Sequence, residues 1–285
     1  MPVPLSCVIL TYNEEKNIRR CLESLSALAG EIFVVDSFSN DKTLEITREF
    51  TDKIFHRPFK THTEQWNWAF KNLPFSFEWC LVLDADQCVS VPLRQELELI
   101  FQQGMPSDIN GYYIIRRQIF LGKWIRFGGY YPKYMLKLFK AKEAACDEKE
   151  LVDHRFYVRG KLGRLKYDFI EENKNEDDIV FWLEKHLKYV DLKAKEILLY
   201  RQKRQGWLLR TSFLGSPDQR VLWLTDFYYC LPLYLRPFLY FIWRYFILLG
   251  FLDGPKGFLF HFLQGFRYRL IIDVKIGYLQ KKRLS

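Results

Sequence analysis

The residues best placed to do chemistry lie in Leu81-Val82-Leu83-Asp84-Ala85-Asp86-Gln87, an apolar run that ends in two carboxylates one residue apart. With Trp79 and Cys80 before it, the run reads as a buried strand delivering both acids to its C-terminal end. Residues two apart in an extended chain point the same way, so Asp84 and Asp86 face one site together. Such a pair repels itself unless a hard cation, Mg²⁺ or Mn²⁺, lies between it and a phosphate group. These ions take oxygen ligands and share them with substrate. The plainer alternative is a solvated strand-to-loop turn in which Asp84 caps the next element.

The elements around that stretch must hold it in place. Residues 5–10 form a short apolar, β-rich run that stops at Thr11-Tyr12-Asn13-Glu14-Glu15, and Ile18, Cys21, Leu22 and Leu25 then recur at helical spacing. Residues 31–35 are a second strand, closed by Asp36 and the polar loop 37–43. A helix follows over 44–50, a strand over 53–56, a helix over 64–73, and then the strand that ends in Asp84 and Asp86. Strands alternating with helices predict an α/β fold with a doubly wound, mostly parallel sheet. In such sheets ligands bind beyond the carboxyl ends of the strands. Thr11, Asp36 and the Asp84/Asp86 pair all fall there, although each loop taken singly is equally a helix cap.

At 285 residues the chain is long enough for one large domain with an appendage. Residues 201–285 hold 14 Lys/Arg against 4 Asp/Glu, a local balance of +10, so residues 1–200 sum to −1 of the total +9. The basic character therefore belongs to the C-terminal part and points to a surface partner for it. Domains are expected over 1–200 and 201–285. Six scattered cysteines, with no CxxC, read as free thiols in a reducing compartment. Met1-Pro2-Val3-Pro4 runs straight into a strand without the charged region or cleavage site of a secretory signal, so a cytoplasmic location is expected. There is no Walker-type glycine loop, which removes the main requirement of a kinase or ATPase.

Taken in order, Thr11-Tyr12-Asn13-Glu14-Glu15, Val34-Val35-Asp36-Ser37 with Asp41 and Thr43, Gln65-Trp66-Asn67-Trp68-Ala69, Leu83-Asp84-Ala85-Asp86 and Gly128-Gly129-Tyr130-Tyr131-Pro132 resemble the family 2 glycosyltransferases. These enzymes have a GT-A type nucleotide-sugar domain, and the likeness is to the branch of lipopolysaccharide-core and exopolysaccharide glucosyltransferases. The resemblance implies a metal-dependent, inverting transfer from a nucleotide-sugar, with a UDP-sugar favoured, to a lipid-linked or saccharide acceptor. It implies that Thr11 with Asn13 and Glu14 borders the nucleoside and that Asp36 bonds the base edge. Gln65 and Asn67 fall in the donor site, and Asp84 and Asp86 form the DxD motif. In that motif Asp86 is the direct metal ligand, and Asp84 lies nearer the ribose or sugar while also serving the metal. The cation, Mg²⁺ or Mn²⁺, neutralises the departing nucleoside diphosphate.

Further on, a helix is expected over 91–103 and strands over 111–117, 136–139 and 165–170. The aromatic, glycine-rich stretch 120–132 reads as an acceptor-side loop by resemblance, or as ordinary aromatic packing. Inverting transfer needs a base for the acceptor hydroxyl. The resemblance places it in Glu150-Leu151-Val152-Asp153-His154-Arg155-Phe156, with Asp153 the first choice and His154 the second. Residues 171–178 read as a solvated charged turn, with Asp168 in reach of the site, and His186 as a surface or capping residue of a helix over 179–200.

From residue 207 the character changes. The apolar run 238–252 is shorter than the roughly 20 residues of a bilayer span and contains Arg244. Residues 258–279 place Leu263, Phe266, Leu270 and Val274 on one helical face. Basic, aromatic-rich helices of this kind lie in the headgroup plane of anionic membranes. Residues 230–285 are therefore expected on the inner surface of the cell membrane, with a packed helical hairpin or a homodimer contact as the alternative. Two further readings stand beside the enzyme. One is a nucleotide-sugar-binding scaffold with impaired catalysis. The other is a basic nucleic-acid-binding protein, disfavoured because the cations are interleaved with apolar faces and no recognition motif accompanies them.

Overall fold

The computed structural model describes residues 2–152, 154–202 and 208–284. The chain begins with β1 (Val3–Thr11), α1 (Ile18–Ser26), β2 (Ala29–Asp36), α2 (Thr43–Arg48), β3 (Ile54–His56), α3 (His62–Asn72), β4 (Trp79–Asp84), β5 (Gln87–Val89) and α4 (Val91–Gln103). It continues with β6 (Ile109–Phe120), β7 (Lys123–Trp124), β8 (Lys133–Lys140), β9 (Ala144–Cys146), β10 (Phe156–Val158) and β11 (Lys161–Glu171). The main sheet is ordered β3-β2-β1-β4-β8-β6-β11-β5, with β7 paired to β6 at one end, and β9 and β10 form a separate ribbon.

The neighbours β3, β2, β1 and β4 pair in parallel, and β11 is parallel to β6. β8 is antiparallel to both β4 and β6, and β5 is antiparallel to β11. The expected doubly wound sheet is thus a mixed one: parallel-rich, with β8 and β5 reversed. Only two residues separate β4 from β5, too few for a parallel crossover, and β5 pairs antiparallel with the end of β11.

Continuous apolar strands follow from cover on both faces. On one face Ile18, Cys21, Leu22 and Leu25 of α1, with Leu93 and Leu97 of α4, pack against Leu5, Cys7, Ile9, Leu81 and Leu83. On the other, Trp66 and Ala69 of α3 pack against Val8, Leu10, Val35 and Val82. Helix entry is fixed by caps: Thr61 accepts from the Glu64 amide and Ser90 from the Leu93 amide.

The C-terminal part is helical: α5 (Ile179–Gln202), α6 (Pro217–Cys230), α7 (Leu235–Ile242), α8 (Gly254–Phe260) and α9 (Tyr268–Leu284), with π-helical turns at Trp243–Ile247 and His261–Arg267. Ile272 and Ile276 of α9 close a small core with Val190, Ala194, Ile197 and Leu198 of α5. The fully buried Arg236 donates its Nε to both Asp273 oxygens at 2.9 and 3.0 Å. The predicted face of Leu263, Phe266, Leu270 and Val274 does not form. Leu263 is buried and Val274 exposed, because the π turn at His261–Arg267 shifts the helical phase.

Among the described residues no single helix is long and apolar enough to cross a membrane. One bent pair, Leu235–Ile247 with Gly250–Lys282 at 70°, passes on length and composition together. Arg244 does not break the apolar run, because its guanidinium turns inward over the Tyr130 ring at 4.1 Å and donates to the Tyr240 hydroxyl at 2.7 Å.

Candidate active site

β4 ends on Asp84 and a tight turn brings Asp86 beside it. Gln87 organises the pair: its side-chain oxygen accepts from the Asp84 amide at 3.1 Å, while its Nε2 donates to Asp84 Oδ2 at 2.9 Å and to Glu171 at 2.8 Å. The two acids then meet opposite surroundings. Lys137 of β8, fully buried, places its Nζ 3.4 Å from Asp84 Oδ2. Burial alone would push the Asp84 carboxyl up, but Lys137, with His154 and His62 adding, pulls it down to about 2.

Among the described residues no lysine or arginine pairs with the Asp86 carboxylate, and Arg20 reaches only its backbone carbonyl, at 3.2 Å. Asp86 Oδ2 accepts from Asn173 Nδ2 at 3.2 Å and the Asp86 backbone carbonyl from the Glu172 amide at 3.0 Å. Burial, then Glu171, Asp84 and Glu14, drive its carboxyl well above the ordinary range, against a weaker pull from Lys185. Glu14 is raised too, first by burial. A crowd of carboxylates at a strand end, with charge left over, fits a divalent cation. Among the described residues no group of three His, Cys, Asp or Glu side chains is placed to hold a metal ion.

Glu171 and Asn173 belong to this cluster, so the stretch expected as a solvated turn is partly inside the site. Asn173 is buried, bonds Asn17 and Asp86, and Glu171 accepts from Arg116 at 3.0 Å. Their position depends on β11 pairing between β6 and β5, a long-range register that local periodicity does not carry. The acids at the end of a predicted strand were the available signal.

On the nucleoside side, Thr11 and Asp36 are paired in register at the ends of β1 and β2, and both are buried. Asp36 accepts from the Ser39 amide at 2.9 Å and lies 3.4 Å from His56 Nδ1. Gln65 Nε2 donates to Ser37 Oγ at 3.1 Å and to the Arg57 carbonyl at 3.2 Å. The Thr11 hydroxyl and the Gln65 side-chain oxygen are buried with no hydrogen-bond partner among the described residues. Such groups are costly unless a ligand satisfies them. Asn13, at φ 54°, accepts from the Asn40 amide through its side chain and so ties the first loop to the second.

Asn67 is placed differently. Its amide exchanges two bonds with the Cys146 backbone, at 3.1 and 2.8 Å, and fastens β9 to α3. Asp153 lies outside the described residues. His154 stacks on His62 at 5.4 Å between rings and packs edge-on against Phe156, and it adds to the pull that lowers the Asp84 carboxyl. Arg155 is spent on the buried Glu150, which also accepts from Tyr157 at 2.9 Å. Asp168 is locked by two bonds from Arg117 at 2.9 Å and one from Tyr131 at 3.1 Å. The stretch 120–132 divides between its two readings: Phe120, Ile125 and Tyr130 pack with Trp182, Phe260 and Leu263, while Trp124 stays partly exposed between Arg117 and Arg126 at 4.7 and 5.1 Å. His186 is a packing residue, stacked on Trp182 at 3.6 Å with Nδ1 2.8 Å from the Trp182 carbonyl.

Residues 6–128 match the model of the family described as glycosyl transferase family 2. The lipopolysaccharide core biosynthesis glycosyltransferase LpsC of Rhizobium meliloti is 27% identical over 174 residues, 58% of this chain and 61% of that protein. An uncharacterized glycosyltransferase of Rickettsia bellii is 36% identical over 100 residues, 34% of this chain and 32% of that one. Among solved structures, glucosyl-3-phosphoglycerate synthase from Mycobacterium tuberculosis, in complex with Mg²⁺ and uridine diphosphate, overlaps 40% of this chain and 44% of its own at 20% identity and a TM-score of 0.33. The chain thus spans less than two thirds of the length of the relatives it matches.

Proposed function

We propose, starting from the family 2 glycosyltransferase domain of residues 6–128, that the chain transfers a sugar from a nucleotide-sugar to a lipid-linked or lipopolysaccharide-type saccharide acceptor, with inversion and with Mg²⁺ or Mn²⁺. A UDP-sugar is the favoured donor. The observation that carries this reading is the unequal acid pair, with Asp84 neutralised by Lys137 and Asp86 left among Glu171 and Glu14. Asp86 would hold the cation, aided by its carboxylate neighbours. When bound, the cation supplies the charge neutralisation that a departing nucleoside diphosphate needs. Lys137 keeps Asp84 anionic and oriented as an acceptor for ribose or sugar hydroxyls. The free Thr11 hydroxyl and Gln65 oxygen, beside Asp36, receive the nucleoside edge. Asp153, with His154 as the second choice, would take the acceptor hydroxyl's proton.

The acceptor's class follows from the C-terminal part. Phe238, Trp243, Phe246, Ile247, Leu249 and Phe251 are all exposed, an apolar surface of the kind that marks a membrane or protein contact. In a region of balance +10 the fitting partner is an anionic membrane, here the inner face of the cell membrane. Calorimetric titration with UDP tests the site: binding is expected with Mn²⁺ and not with EDTA, and Asp86→Ala is expected to lose the Mn²⁺ dependence. Equal UDP binding with and without metal would refute the assignment of Asp86.

A further inference from the structure

The segment 121–131 and the apolar hairpin of residues 235–262 are fastened to each other by hydrogen bonds to backbone groups at both ends of the segment. Asp253, buried at the end of the 3₁₀ turn Gly250–Asp253, accepts from the Arg126 amide at 3.1 Å and from the Phe127 amide at 2.9 Å. The Gly128 amide donates to the Leu248 carbonyl at 2.8 Å, and Lys256 Nζ donates to the Leu121 carbonyl at 2.5 Å. Gly128 has φ +66°, and a Cβ there would lie 2.1 Å from His261 Cε1. The glycine therefore serves both a left-handed turn and the close approach of the hairpin. Lys123, Arg126 and Lys256 are all exposed along this junction, next in the chain or in space to the exposed Leu249, Phe251 and Leu252.

We propose that the surface which meets the membrane is the hairpin together with residues 121–131, joined into one piece by Asp253. Its occupant is the headgroup layer of an anionic bilayer, with Lys123, Arg126 and Lys256 on lipid phosphates. The inference rests on the membrane reading above and extends it. Apolar side chains enter the acyl boundary while flanking cations stay at the phosphate level. Trp124, between Arg117 and Arg126, is then at headgroup height. Tyr131 is in edge contact with it at 4.9 Å.

Hydrogen exchange measured by mass spectrometry on the full chain, with vesicles of phosphatidylcholine plus phosphatidylglycerol, tests this. Peptides of both 121–131 and 235–262 are expected to gain protection on vesicle binding. In Asp253→Ala the hairpin is expected to keep its protection and 121–131 to lose it. Lys123→Gln with Arg126→Gln, surface changes that leave the fold intact, are expected to weaken vesicle affinity about fivefold each. Protection of the hairpin alone in the unaltered chain, or unchanged vesicle affinity in the double variant, would overturn the proposal while leaving the membrane reading in place. Failure of the unaltered chain to bind vesicles at all would overturn both.

Discussion

Replacing Lys137 by Met tests the electrostatic division of the acid pair. Met fills the lysine's stem volume over the Phe156 and Phe169 rings, which lie 5.8 and 5.7 Å from Nζ, and removes only the charge. An aspartate that titrates near 3.8 when unfolded titrates at about 2 here. At about 1.4 kcal/mol per pH unit the native interactions of Asp84 contribute about 2 kcal/mol at neutral pH. Because the folded value is the lower one, that stability is fully present above about pH 4 and is lost as pH falls through 2. Without Lys137, burial acts on Asp84 against only the weaker pull of His154 and His62 and the bond from Gln87. The loss falls at or below the low end of the roughly 3–5 kcal/mol that breaking a buried pair costs, since the Asp84 side chain keeps 28% of its exposure. Thermal unfolding followed by circular dichroism at pH 7 should show a midpoint lower by about 4–8 °C. Asp84→Asn in the same background should recover most of it. A midpoint within 1 °C of the unaltered chain, or no recovery in the double variant, would refute the reasoning.

Asp86→Asn should hold or raise the stability of the metal-free protein by about 1 kcal/mol, because it removes a buried charge from a like-charged cluster, and should cancel the rise in midpoint that Mn²⁺ gives the unaltered chain. Gly128→Ala should cost about 2 kcal/mol or more through φ +66° and the contact with His261, and limited proteolysis should then cut first within 121–131. Burial holds the His186 imidazole below its ordinary range, so the unfolded chain takes up a proton first as the medium is acidified. Stability should fall below about pH 6.5, and His186→Phe should flatten the midpoint-versus-pH curve just below that value.

Local periodicity made the first half of the sheet legible. Ile18, Cys21, Leu22 and Leu25 at helical spacing, and the uninterrupted apolar runs of β1, β2 and β4, each carry their own signal. Asp84, Asp86 and Thr11 were readable because they terminate such runs. Lys137 was not, since a lysine between Leu136 and Leu138 looks like the solvated face of an edge strand, and its burial comes from β8 inserting between β4 and β6. Glu171 and Asn173 were missed for the same reason: their place is set by pairing across more than 50 residues of sequence. The aromatic stretch 120–132 showed its composition but not its partner, because Gly128 and Tyr130 are explained by contacts with Leu248, His261 and Phe260 far along the chain. In the C-terminal part, apolar content was evident, but the π turns changed which side chains face outward.

Nucleoside diphosphate release from UDP-, GDP- and TDP-sugars, with Mn²⁺, Mg²⁺ or EDTA and membrane lipid extract, tests the central claim most directly in the unaltered chain and in Asp86→Ala. Release from one donor, present with a divalent cation, absent with EDTA and lost in Asp86→Ala, is the predicted result. Release that is indifferent to EDTA or survives Asp86→Ala would contradict a metal-dependent transfer centred on this acid pair.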